Sequence, residues 1–165
     1  MSNKITNRAN ECKEADNMAF TLLYVENRSA ELIAQLAELW EASVRATHHF
    51  LTEGDICEIR SFVPMAISNV CHLVIATDTH HKPVAFMGIE NGMLEMLFVS
   101  PSHIGVGIGR IIVQYSIDYF DIKEVTVNKQ NLSAVVFYEH IGFKPYKRTD
   151  CDGQGRPFPL IYMRL

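Results

Sequence analysis

The chain has 165 residues, 48% of them hydrophobic, a length that suits one domain with a full core and falls short of two ordinary ones. A formal net charge of −4 without any run of lysine or arginine argues against a nucleic-acid-binding surface, and no apolar run is long enough to cross a membrane. Cys12, Cys57, Cys71 and Cys151 form no C-x-x-C pair and show no zinc spacing, which points to free thiols in a reducing cytoplasm.

Residues 1–20 are polar and mixed in charge, with Glu11, Glu14 and Asp16 where a signal peptide would need an apolar core. They are expected to form a flexible extension to a single domain spanning 21–165. Residues 21–26 read as a strand, and Ser29 is placed to cap a helix whose apolar positions Leu32, Ile33, Leu36, Leu39, Trp40 and Val44 follow helical spacing. A second helix is expected over about 53–68, ending or kinking at Pro64, followed by a buried strand over 71–77. Strands over 84–90 and 93–99 are joined through Asn91-Gly92, a strong hairpin signal. Then come a helix over 110–120 with Ile112, Val113, Ile117 and Phe120 inward, a strand over 124–128, and a helix over 131–141 ended by Gly142. A hairpin of 143–149 and 158–164 around Asp152-Gly153-Gln154-Gly155 completes the chain. The order β-α-α-β-β-β-α-β-α-β-β is an α+β arrangement on a single mixed, mostly antiparallel sheet flanked by helices.

Between the strand over 93–99 and the next helix lies Ser100-Pro101-Ser102-His103-Ile104-Gly105-Val106-Gly107-Ile108-Gly109-Arg110. Alternating glycines let the backbone take positive φ and leave its N–H groups open, while the following helix adds orphan donors and a positive dipole end. A pyrophosphate suits such a cradle. A P-loop is excluded because Gly109 is followed by Arg110 and Ile111 rather than Lys-Ser/Thr, and a dinucleotide fingerprint fails because arginine stands where its third glycine would fall. The stretch resembles motif A of the GNAT superfamily of acyl-CoA-dependent N-acetyltransferases, Arg/Gln-x-x-Gly-x-Gly/Ala, with Ile104, Gly107 and Gly109 at its fixed positions and Ile104 departing from the pattern. The resemblance implies that Ile104, Gly105, Val106, Gly107, Ile108, Gly109 and Arg110 hold the pyrophosphate of acetyl-CoA, and that Leu97, Phe98 and Val99 meet its pantetheine arm through main-chain bonds. A bulge where this strand meets Pro101 is expected to splay it from its neighbour and open a cleft.

The second segment, Asn131-Leu-Ser-Ala134-Val-Val-Phe137-Tyr138-Glu-His-Ile-Gly142-Phe143, is similar to the GNAT motif B pattern Asn-x-x-Ala-x-x-Phe-Tyr-x-x-x-Gly-Phe at every fixed position. Asn131, Ala134 and Tyr138 share one helical face, an amide, a gap and a phenol in line, along which a slim ligand arm fits. The resemblance places Asn131, Ala134 and Phe137 against the cofactor and gives Tyr138 the protonation of the departing thiolate, a task for a phenol that stays protonated at neutral pH.

An attacking amine also needs a base or a water chain. Glu95 is the leading candidate, being acidic in the otherwise apolar Leu94-Glu95-Met96-Leu97-Phe98-Val99 at a position where several GNAT enzymes carry an acid. His48 competes, with His49 beside it, because the family lines its acceptor pocket between the first two helices. Ser43-Val44-x-Ala46-Thr47-His48-x-Phe50-Leu51 and Gly155-Arg156-Pro157-Phe158-Pro159-Leu160 resemble the YjaB subgroup of bacterial GNAT proteins. His72, His80 and His81 lack partners at ligand spacing, so no metal is expected. The resemblance therefore implies an N-acetyltransferase in which a primary amine attacks acetyl-CoA directly in a ternary complex; a monomer or homodimer is expected, and the cysteine pattern and polar first residues place it in the cytoplasm. Alternatives are an acetyl-CoA-binding sensor without turnover and a protein or peptide N-acetyltransferase.

Overall fold

A computed structural model describes residues 20–165; the expected N-terminal extension and Cys12 fall outside them. The strands are β1 (Thr21–Tyr24), β2 (His72–Thr77), β3 (Pro83–Glu90), β4 (Met93–Val99), β5 (Glu124–Asn128), β6 (Lys144–Thr149) and β7 (Leu160–Arg164). The helices are α1 (Ala30–Thr47), α2 (Glu53–Asn69), α3 (Ile108–Phe120) and α4 (Leu132–Ile141), with a single 3-10 turn over Pro101–His103. The strands form one sheet in the order β1-β2-β3-β4-β5-β7-β6, antiparallel at every step except the parallel pair β4–β5.

Period-two alternation sends the side chains of the central strands β2 and β3 to two separate cores. Leu73, Ile75 and Phe86 meet Leu36, Trp40 and Val44 of α1 and Ile56, Val63 and Ile67 of α2 on one face. Val74, Ala76, Ala85, Met87 and Leu94 meet Ile108, Ile112 and Val113 of α3 and Tyr138 of α4 on the other. Ser29 caps α1 by accepting from Leu32 N–H at 3.1 Å, and Thr52 opens α2 in a reciprocal capping box with Asp55. Glu41 pairs with Arg60 at 3.0 Å and Arg45 with Glu53 at 2.6 Å, tying α1 to α2 on both sides of the loop over 48–52.

Two expectations need correction. The second helix covers the expected span, to Asn69, and does not end at Pro64: Val63 and Ile67 are buried on either side of the proline, and their packing outweighs the one lost backbone bond. The β4 irregularity is not at Pro101, where Ser100 N–H still donates to Val84 O at 2.8 Å. It lies at Glu95: Gly88 faces Met96 and Ile89 faces Leu94, so Glu95 is the extra residue. Pairing with β5 stops at the same place, after Met93 with Glu124 and Leu94 with Val125. Residues 97–99 stay bonded to β3 and have no strand on their other side.

Gly88 makes the bulge fit. A Cβ there would lie 2.5 Å from Met96 Cε and 3.1 Å from Val70 Cγ2. We expect Gly88→Ala to destabilise the protein by about 1–3 kcal/mol through overpacking. In Gly54→Ala the new Cβ meets only Thr52 Oγ1 at 3.7 Å, so that change should be neutral or stabilising by up to about 1 kcal/mol. Urea midpoints at unchanged m-value check both.

Candidate active site

Where β4 leaves β5, the chain turns through 100–107 into α3 and leaves a cleft of about 420 Å³ between β4, α4 and the end of α1. Gly105 and Gly107 have φ of 86° and 89°, and a Cβ on either would meet nothing within 4 Å, so both backbones face open space. Gly107 is the N-cap of α3 and its carbonyl accepts from Ile111 N–H at 3.1 Å. That start, two residues earlier than Arg110, is available because only glycine takes the left-handed N-cap conformation at little cost. Among the described residues, none of the six N–H groups over 105–110 donates a hydrogen bond. Consecutive open amides at a helix N-terminus form an anion site.

Opposite them, α4 presents the expected face. Asn131 caps the helix, its Oδ1 accepting from Ala134 N–H at 3.2 Å and from Ser133 Oγ at 2.9 Å, which leaves its Nδ2 protons for a ligand. Phe137 closes against Gly109, where a Cβ would lie 3.3 Å from its Cζ. Tyr138 is only 6% exposed, held edge-on by Phe137 and Phe143 at 5.0 and 5.7 Å between ring centres. Its hydroxyl makes no hydrogen bond among the described residues although the side chain borders the cleft, and burial pushes its pKa up.

His48 closes the third side. It is the C-cap of α1, its N–H donating to Val44 O at 2.8 Å, and its ring lies 5.4 Å from Phe50 and 6.5 Å from Phe98. Burial between these rings lowers its pKa to about 4, with His49's charge acting in the same direction. Glu95 sits at the bulge and does not border the cleft; partial desolvation, then Glu90's charge, raise its pKa.

The cleft thus gathers Leu97, Phe98, Val99, Ile104, Gly105, Gly107, Ile108, Gly109, Arg110, Asn131, Ala134, Phe137, Tyr138 and His48, while Val106 and Glu95 stay outside its lining. It also takes in Ser43, Thr47, His103, Ser133, His140 and Ile141, to which the sequence alone assigns no role in the site. Ser43 and Thr47 carry a signal that could have found them: they stand four residues apart on α1, with Thr47 directly before His48, a helical stripe leading to the candidate base.

Residues 60–163 match the family model of the acetyltransferase (GNAT) domain. The peptidyl-lysine N-acetyltransferase YjaB of Escherichia coli K12 is 35% identical over 131 residues, covering 77% of this chain and 86% of its own. The solution structure of apo-form YjaB from Escherichia coli aligns at a TM-score of 0.80 and 30% identity, over 89% of this chain and 97% of that one. The PaiA N-acetyltransferase of Thermoplasma acidophilum, solved in complex with coenzyme A, shares the fold at a TM-score of 0.58 and 19% identity, over 87% and 99% of the two chains.

His48 ties the site to stability. Its folded pKa of about 4 lies below the unfolded value near 6.5, so the unfolded chain binds the proton more readily between the two. Its contribution is therefore complete above about pH 6.5 and is lost as pH falls toward 4, by up to about 3 kcal/mol. Denaturation at pH 7 and pH 5 should show this loss, and His48→Gln should lessen it.

Proposed function

We propose, from the premise that the chain belongs to the GNAT acetyltransferases and is an N-acetyltransferase, that its donor is acetyl-CoA, bound in the β4–α4 cleft, and that its acceptor is a lysine side chain of a protein or peptide. The observation that carries the reading is that Gly105 and residues 107–110, whose amides donate no hydrogen bond, border the same cleft as the unpartnered Tyr138 hydroxyl. The amides suit the pyrophosphate, with Arg110 adding the charge that Ile104 does not. Asn131 Nδ2 and the free main-chain edge of residues 97–99 suit the amides of the pantetheine arm. The acceptor assignment draws on the peptidyl-lysine activity of the YjaB relative and on the aromatic pair beside His48, where Phe50 stands 6.3 Å from Phe158 and suits an aliphatic arm. Exposed free thiols at Cys57, Cys71 and Cys151 favour the cytoplasm as the compartment.

In this reading the amine reaches the cleft neutral, its ammonium proton left to water, a loss that the apolar walls favour. Its nitrogen lone pair forms the new C–N bond at the thioester carbon, and an outward β4 N–H meets the oxyanion. His48 takes the amine proton as its acidity rises on bond formation. The C–S bond breaks as the oxyanion collapses, and Tyr138 gives its phenolic proton to the thiolate. Proton exchange through solvent returns Tyr138 to phenol and His48 to imidazole, so each turnover releases one proton. His48 takes the role of base because it borders the cleft and Glu95 does not.

Tyr138→Phe should preserve acetyl-CoA affinity and lower kcat by about 10²- to 10⁴-fold, measured by coenzyme A release against a lysine peptide. Unchanged turnover where chemistry limits the rate would remove Tyr138 from the acid role. Gly107→Glu, which puts a negative charge in the cradle, should abolish acetyl-CoA binding by calorimetry in a protein that remains folded by circular dichroism. Because His48 is already neutral at pH 5, kcat/KM should rise steadily with the neutral fraction of the lysine amine between about pH 6 and 9, with no break near 6.5. A break near 6.5 that disappears in His48→Gln would contradict that environment.

A further inference from the structure

Thr47 places its hydroxyl between two groups that together decide which nitrogen of His48 carries the proton. Thr47 Oγ1 lies 2.8 Å from Ser43 O, one helical turn back, and 2.8 Å from His48 Nδ1. A carbonyl oxygen accepts only, so the single hydroxyl proton goes to Ser43 O. The contact with His48 must then be filled by a proton on Nδ1, donated to Thr47 Oγ1. We propose that Thr47 is a positioning residue for acetyl transfer: anchored on the Ser43 carbonyl, it holds neutral His48 in its Nδ1–H tautomer and leaves the Nε2 lone pair as the base. The proposal rests on the reading of His48 as base.

The surroundings support the assignment. Ser43 is 5% exposed and both Ser43 and Thr47 border the cleft, so the relay is a fixed part of the wall. Phe50 and Phe98 pack on the imidazole and offer no competing hydrogen-bond partner. When Nε2 takes the amine proton, Nδ1–H keeps its acceptor, and the Thr47 hydroxyl carries the polarisation to a carbonyl in the last turns of α1, the negative end of that helix dipole. Charged and titratable groups around the ring are few. His49 adjoins it in sequence; across the cleft stand Tyr138 and His140 of α4, Arg110 of α3 and His103 of the 3-10 turn.

The test pairs the full chain with Thr47→Val, which keeps the shape and loses the hydroxyl, and Thr47→Ser, which keeps the hydroxyl. Nitrogen-15 NMR of the labelled histidines should show His48 protonated at Nδ1 in the wild type and in Thr47→Ser, and a shift toward the Nε2–H form in Thr47→Val. Thr47→Val should lower kcat by roughly 10- to 100-fold, below the full contribution of a general base, with acetyl-CoA affinity unchanged as the check on folding. Thr47→Ser should restore most of the rate. An Nε2–H His48 in the wild type would overturn the proposal. So would wild-type turnover in Thr47→Val while His48→Gln is impaired. Full turnover in His48→Gln would bring down the base assignment itself, a separate failure that the NMR result does not share.

Discussion

The site depends on one interrupted ladder. β4 and β5 are paired over only two residues on each strand, and the main-chain groups that would have continued the ladder are left facing a gap. Backbone polar groups in a protein interior need partners, so such a gap persists only where water or a ligand supplies them. Parallel neighbours joined through a helix also bring the N-terminus of that helix to the carboxyl end of the first strand. The break therefore sets side by side an open strand edge, suited to amides, and the open end of α3, suited to phosphate. Glu95 and Gly88 mark where the break is made, since the extra residue in β4 and the missing side chain in β3 occur opposite each other.

The groups assigned to proton transfer are governed by burial acting in opposite senses on opposite charge types. Desolvation disfavours phenolate at Tyr138 and imidazolium at His48, so each is held in its neutral form. In the proposed reading a neutral acid on α4 and a neutral base on α1 border the cleft, and Arg110 borders it from α3. That set of groups suits a substrate that carries both charged phosphates and an uncharged thioester.

What the sequence revealed follows the range of the interactions concerned. Asn91-Gly92 is legible because the turn takes φ of 50° and 75°, values open to few residue pairs, and Gly142 because its φ of 118° ends α4. The glycines over 105–109 and the Asn131–Tyr138 face are local patterns and were legible for the same reason. The bulge at Glu95 was not: it is a relation between two strands, fixed by how Gly88 and Val70 pack on Met96, and β4 alone carries no sign of it. The span of α2 is legible, whereas its passage through Pro64 is decided by tertiary packing that outweighs a local rule. Which of Glu95 and His48 borders the cleft is likewise not local, for it depends on α1 being laid against Phe98.

The strand order carries a consequence for the timing of assembly. β7 follows every other described strand in the chain, yet it lies inside the sheet, between β5 and β6, bonded to both. On a ribosome, β1 to β4 with α1 and α2 can condense as they emerge, since every strand partner of β1, β2 and β3 has been made once β4 is complete. The half of the molecule that carries Tyr138 cannot follow suit, because β5 and β6 have nothing to bind each other until β7 arrives between them. The described sheet is thus completed from within, by a strand that enters between two that precede it in the chain.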